Sequence, residues 1–137
     1  MAPEDVASLA AGEVARGLDV LGEELAGLSW ESAAVVDSVF EDCTFTGCNL
    51  SMTRLTDTRF VDCVLSDVDF SEADLRRTVF TGSELSGARF ASSDLRDADM
   101  RGTRGLALDP RENRLKGARL DLDATPGLLG SFGVVIT

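Results

Sequence analysis

Histidine and tyrosine are absent from this chain of 137 residues, tryptophan occurs once, and proline and cysteine occur three times each. The missing histidine removes the commonest general base and the commonest zinc-binding nitrogen together. Three cysteines make no disulfide framework at this length, and the odd number suits free thiols in a reducing compartment. No apolar run approaches the ~18 residues that span a bilayer. Residues 1–12, MAPEDVASLAAG, carry acids where a secretory signal needs a basic start and an apolar centre. These absences lead to the expectation of a cytoplasmic chain with no membrane partner. Positive charge is scarce as well: 13 lysines and arginines stand against 24 acids, a net charge of −11. Phosphate binding depends on basic contacts, so direct binding of nucleic acid is not expected. The excess is uneven, with seven acids against Arg16 in residues 1–34, thirteen acids against eight arginines in 35–104, and four of each sign in 105–137.

What the sequence does contain is a period of five. In CTFTGCNLSMTRLTDTRFVDCVLSDVDFSEADLRRTVF, residues 43–80, a large apolar residue returns at Phe45, Leu50, Leu55, Phe60, Leu65, Phe70, Leu75 and Phe80. The series begins upstream with Trp30, Val35 and Phe40 and continues through Leu85, Phe90, Leu95 and Met100. With this position called i, the residue at i−2 is small or compact, as at Ala33, Cys43, Thr53, Cys63, Ala73 and Ala98, and the other three columns are mostly polar. An α-helix turns positions five apart by about 140°, which smears the apolar column over its whole surface. A straight strand puts them on opposite faces. A backbone that turns a corner every five residues satisfies the pattern, because i and i−2 then point inward on every side. Four such sides close a square coil of about 20 residues, and stacked coils pair their backbones at ~4.8 Å per coil. The expected fold class is all-β, a right-handed quadrilateral β-helix with short helical caps at its ends.

The A/S/T/C-x-F/L-x-x pattern, held from Phe40 to Met100 without insertion, resembles that of the pentapeptide repeat family, a solenoid of this kind. The ends are less regular. Gly12, Gly17, Gly22 and Gly27 also recur every five, at i+2, with Val20, Leu25 and Trp30 at i. Two readings stay open there. One is a degenerate first coil from about residue 18, after an acidic segment 1–17 with a short helix within residues 3–12. The other is a helix over 4–28 with Val14, Leu18, Leu21, Leu25 and Leu28 on one side. Four glycines inside a helix would cost roughly 1 kcal/mol each relative to alanine, which favours the coil, whereas Glu23 at i−2 counts against it. The repeat unit is taken as 18–122. Its last coil is irregular, since Gly105 and Pro110 occupy i positions before Leu115 and Leu120 restore the column. In residues 123–137 the expectation is a capping helix with Asp123 as N-cap, Pro126 in the first turn and Gly133 as stop, followed by a strand at Val134, Val135 and Ile136.

The search for chemistry returns little. Cys43 and Cys63 are one coil apart and Cys48 lies on the next side, which is the place for small buried residues rather than for a redox pair or metal site. Asp74, Asp94, Asp97 and Asp99 are interleaved with Arg76, Arg77, Arg96 and Arg101, the composition of a solvated surface. Trp30 and the phenylalanines at i belong to the core. No phosphate loop, zinc motif or nucleophile elbow occurs. No enzyme activity, cofactor or metal is expected.

Two functional expectations remain. The first is a non-catalytic scaffold whose flat sides and ends bind another protein. The second is implied by the resemblance: some pentapeptide repeat proteins are similar in shape and charge to duplex DNA, occupy the DNA-binding saddle of DNA gyrase or topoisomerase IV, and protect bacteria from fluoroquinolones. Such mimicry calls for a concentrated acidic stripe. On the side bearing Leu55, Leu75 and Leu95, Asp57, Asp74, Asp94 and Asp97 are balanced by Arg54, Arg76, Arg77 and Arg96. On the side bearing Phe40, Phe60 and Phe80, Glu41, Asp42, Asp62 and Asp99 face Arg59 and Arg101, a modest excess that makes these four acids the candidate partner surface. Several family members dimerise through a C-terminal helix and tail, so the resemblance implies a homodimer interface at Leu128, Leu129, Phe132, Val134, Val135 and Ile136.

Overall fold

Among the described residues short three-residue strands form at β1 (Val14–Arg16), β2 (Asp19–Leu21), β3 (Ala34–Val36), β4 (Val39–Glu41) and β5 (Arg59–Val61). The computed structural model describes residue 6 and residues 9–135. β1 pairs in parallel with β3, and β2, β4 and β5 form a parallel sheet in which Val20, Phe40 and Phe60 lie one above another. On the other sides the strand shrinks to single parallel bridges between residues 20 apart, from Glu24 and Thr44 down to Asp99 and Arg119. The chain is a quadrilateral β-helix, as the period of five requires.

Many corners are closed by the amide of i+3 donating to the carbonyl of i, for example Cys48 to Phe45 at 3.0 Å and Ser83 to Phe80 at 3.1 Å, whereas at Ser38 and Cys63 the i+3 amide donates to the hydroxyls of Thr58 and Ser83 one coil on. Both kinds of corner hold residue i+2 in the left-handed region, a conformation that costs an ordinary L-residue about 1–2 kcal/mol and that Gly, Asn and Asp tolerate best. Gly17, Gly22 and Gly47 meet the requirement, and so do Asp37, Asp42, Asp57, Asp62, Asp67 and Asp97, with φ between 51° and 60°. Much of the acidity of the i+2 column is therefore a consequence of backbone geometry.

Inside, Phe40, Phe60 and Phe80 stack at 5.5 and 5.7 Å with nearly parallel rings, and Phe70 stacks on Phe90 at 5.1 Å. The i−2 column does more than fit. Thr53, Thr58, Thr78, Ser83 and Ser93 each donate a hydroxyl hydrogen bond of 2.8–3.0 Å to a carbonyl of the preceding coil. Among the described residues no buried side-chain polar atom lacks a partner, which is the condition for burying hydroxyls without penalty.

The ends depart from expectation in four places. β1 begins at Val14, upstream of residue 18, and the paired strands β1 and β2 exclude the helix over 4–28. The expected short helix within residues 3–12 lies mostly outside the described residues, although Val6 and Leu9 are buried and the Trp30 indole N–H donates to the Val6 carbonyl at 2.6 Å. In the last coil Leu108, two residues before the proline at i, fills the gap left by Gly105 and Pro110. Asn113 supplies the i−2 hydrogen bond there through Nδ2 to the Phe90 carbonyl, at 3.0 Å. In the tail, Asp123 lies inside a 3-10 turn (Leu122–Ala124) that starts after Asp121, and makes no N-cap for α1 (Thr125–Leu129). Pro126 is in the first turn of α1, and Gly133, at φ 75°, ends a second 3-10 turn (Gly130–Phe132). Val134 and Val135 form no strand, because the ladder ends at Arg119 and the Val134 amide turns back to the Leu129 carbonyl. Ile136 lies outside the described residues. No helix among the described residues is long and apolar enough to cross a membrane.

Candidate interaction surfaces

Large apolar side chains fill the interior from Trp30 to Met100. The three cysteines are free and buried, and each occupies the donor position of the i−2 column: Cys48 Sγ lies 3.0 Å from the Leu25 carbonyl, Cys63 Sγ 3.2 Å from that of Phe40 and Cys43 Sγ 3.6 Å from that of Val20. Burial pushes the Cys48 thiol up. The neighbouring Cys43 thiol, and burial after it, push Cys63 up, while the interaction with Cys63 draws Cys43 down. These thiols stand in for serine and threonine. An open, polar surface depression of about 420 Å³ lies over Asp74, Arg76, Asp94, Arg96 and Arg114.

On the side bearing Leu55, Leu75 and Leu95, hereafter the leucine side, the carboxylates of Asp57, Asp74 and Asp94 are engaged, and that of Asp97 is in no ion pair among the described residues. An Asp-x-Arg clip recurs: the aspartate at i−1 accepts both guanidinium N–H groups of the arginine at i+1 and that residue's own amide. Asp74 holds Arg76 this way at 2.9 and 2.8 Å, and Asp94 holds Arg96 at 2.8 and 2.6 Å. Arg77 reaches one coil back to Asp57 with a second bidentate pair at 2.7 and 3.0 Å. The arginine hydrogen bonds hold Asp57 and Asp94 below the usual carboxylate range. The acid cluster around Asp94 is thereby neutralised, and Asp97 occupies a left-handed corner. The clip was readable in the sequence as the recurring D-x-R at 74–76, 94–96, 99–101 and 109–111, a signal that the column-by-column charge count passes over.

The phenylalanine side, bearing Phe40, Phe60 and Phe80, differs. It carries the only three-stranded sheet among the described residues, β2–β4–β5. Glu41 ends β4, Asp42 takes the following corner and Asp62 the same corner one coil on, all three exposed and with no ion pair among the described residues. Asp99 does not join them: it lies two coils beyond β5, clipped by Arg101 at 2.9 and 2.8 Å and held below the usual range by that hydrogen bond. Between the free acids run Leu21, which is 66% exposed, and the half-buried Val39 and Val61.

Charge also changes along the rod. Residues 1–42 hold ten acids against Arg16, a balance of −9, while residues 101–137 hold six bases against four acids. At that second end the apolar surface is uncovered: Leu122 is 88% exposed, Val135 81%, Phe132 48% and Val134 45%, whereas Leu128 packs on the core and Leu129 is half-buried. The Arg111 guanidinium sits 4.8 Å from the Phe132 ring centre, fixing the tail to the last coil.

Residues 24–90 match the family model for the pentapeptide repeat region. Among solved structures the chain is similar to a pentapeptide repeat protein from the thylakoid lumen of Arabidopsis thaliana, at 20% identity and a TM-score of 0.54, covering 72% of this chain and 65% of that one. It thus spans about two thirds of that protein's length. It is also similar to Rfr23, a pentapeptide repeat protein from the cyanobacterium Cyanothece 51142, at 18% identity and a TM-score of 0.44 over 82% and 87% of the two chains. A third similarity is to QnrB1, a plasmid-mediated fluoroquinolone resistance protein, at 15% identity and a TM-score of 0.35 over 93% and 92%. No curated protein matches. The ladder that fills the matched segment also runs upstream to Val14 and downstream to Arg119, so the matched pentapeptide repeat region is part of one longer coil.

Proposed function

We propose that this chain is a non-catalytic, cytoplasmic scaffold that binds another protein through its outer surface and associates with a second copy through its C-terminal end. One observation carries the reading: large apolar residues fill the interior from Trp30 to Met100, so recognition has only the sides and ends to use. The phenylalanine side, with Glu41, Asp42 and Asp62, supplies the first surface. The uncovered Leu122, Phe132, Val134 and Val135 supply the second, since exposed contiguous apolar patches mark association sites. Buried unpaired thiols support a reducing compartment.

Duplex-DNA mimicry toward DNA gyrase or topoisomerase IV is the second reading, favoured by the net charge of −11. Mimicry needs phosphate-like charge repeated along the rod. Here the charge concentrates toward the N-terminal coils, and the leucine side is laced with arginine. The scaffold reading accounts for both features, so it is placed first.

The test is the solution mass of the intact chain and of a chain ending at Leu122, with relief of quinolone-inhibited supercoiling measured in parallel. A dimer that becomes monomeric on truncation, without relief of inhibition, is the expected result. A monomer in both forms contradicts the C-terminal interface, and relief of inhibition replaces the scaffold reading with the mimic.

A further inference from the structure

Resting on the scaffold reading, we infer that the outer face of the β2–β4–β5 sheet docks a basic amphipathic helix lying along the rod axis. Leu21, Val39, Val61 and Val79 occupy successive coils and alternate between the i+1 and i−1 columns, so they form one zigzag stripe down the middle of this side. Leu21, Val39 and Val61 stand on the three-stranded sheet, and Val79 follows one coil on, where a single bridge pairs it with Arg59. The stripe's rungs recur at ~4.8 Å, close to the ~5.4 Å pitch of an α-helix, so apolar residues at i, i+3 or i+4 and i+7 of a partner meet successive rungs.

Charge selects the partner's sign. Glu41, Asp42 and Asp62 border the stripe with no ion pair among the described residues, while Asp57, Asp74 and Asp94, three of the four carboxylates of the leucine side, are closed off by arginine. Lysine or arginine flanking the partner's apolar seam would find these acids, and a neutral or acidic helix would not. Arg59 is the only cation in the three strands and stands in the Val39 column, so it fixes which flank of the partner carries an acid or a gap.

The experiment titrates the isotopically labelled full chain, observed by its amide resonances, with a synthetic leucine–lysine helix of about 18 residues, ~27 Å long. The control is a peptide of the same composition with its leucines dispersed around the helix. The expected result is saturable shifts in residues 19–21, 39–41 and 59–61, with the control bound about tenfold more weakly or worse. Asp42→Asn with Asp62→Asn keeps the left-handed corners and is expected to weaken binding roughly fivefold, while Asp94→Asn on the leucine side leaves it unchanged. Equal binding of the control, shifts on another side, or no shifts at about 1 mM peptide would each overturn the inference. The scaffold reading would survive those outcomes, because solution mass and supercoiling are measured without the peptide.

Discussion

The leucine side and the phenylalanine side share one core and one corner geometry, yet they treat their carboxylates in opposite ways. On the leucine side Asp57, Asp74 and Asp94 are held by Arg77, Arg76 and Arg96 in two-point hydrogen bonds. On the phenylalanine side Glu41, Asp42 and Asp62 face water beside a stripe of Leu21, Val39 and Val61. An acidic composition is thus two different things in one molecule. Carboxylates bound to arginine are engaged within one coil, as in the Asp74–Arg76 and Asp94–Arg96 clips, or tie one coil to the next, as Asp57 does with Arg77, and free carboxylates beside apolar residues are what a partner can meet. A net charge averages the two and hides the difference.

The largest effect that could break the comparison lies beneath both sides. If they rest on the same core, Phe60→Ala should cost about 3–5 kcal/mol and Leu75→Ala about 2–5 kcal/mol in urea unfolding, both residues being fully buried. A loss below about 1 kcal/mol for either would mean that its side is loosely packed.

A smaller effect separates conformation from charge at the corners. Asp62 is left-handed at φ 51°, so Asp62→Ala should cost about 1 kcal/mol while Asp62→Asn stays within about 0.5 kcal/mol. Met52, left-handed at φ 54° with no such preference, should become more stable by about 0.5–1 kcal/mol as Met52→Gly. Equal losses for the two Asp62 variants would show that the charge itself matters there.

Acid titration sharpens the contrast further. Arginine hydrogen bonds hold Asp57, Asp94 and Asp99 below their ordinary value. Carboxyls lowered on folding contribute stability that is present above the unfolded value, near pH 4, and is lost as pH falls through their folded values. Unfolding midpoints in urea between about pH 5 and pH 2 should therefore fall less steeply in Asp94→Asn than in the parent chain. An unchanged slope would mean that the Arg96 clip is not kept in solution.

The coil was legible in the sequence because five-residue spacing admits few backbones, and Phe40, Leu55 and Phe60 at i, with Thr53 and Cys63 at i−2, all point inward as the period requires. Asp42 and Asp62 were legible as exposed acids, but the left-handed corner that favours aspartate there depends on a φ angle that residue type alone does not reveal. Asp99 was counted with them because a column count does not show that Arg101, two residues on, curls back to it. The irregular ends resisted for another reason. Leu108, at the i−2 position before Pro110, is the side chain buried where Gly105 and Pro110 leave no large residue at i, and the β-branched Val134 and Val135 look like a strand although no ladder runs beside them.

The most direct test of the central claim is urea unfolding, in low salt and in about 1 M salt, of two double variants: Asp74→Asn with Asp94→Asn, and Asp42→Asn with Asp62→Asn. The first pair is expected to lose about 1–2 kcal/mol in low salt, discounted for the partly exposed arginines, and less in high salt. The second is expected to stay within about 0.5 kcal/mol in both. Equal losses, or a larger loss in the second pair, would contradict the division between carboxylates that hold the coil and carboxylates free for a partner.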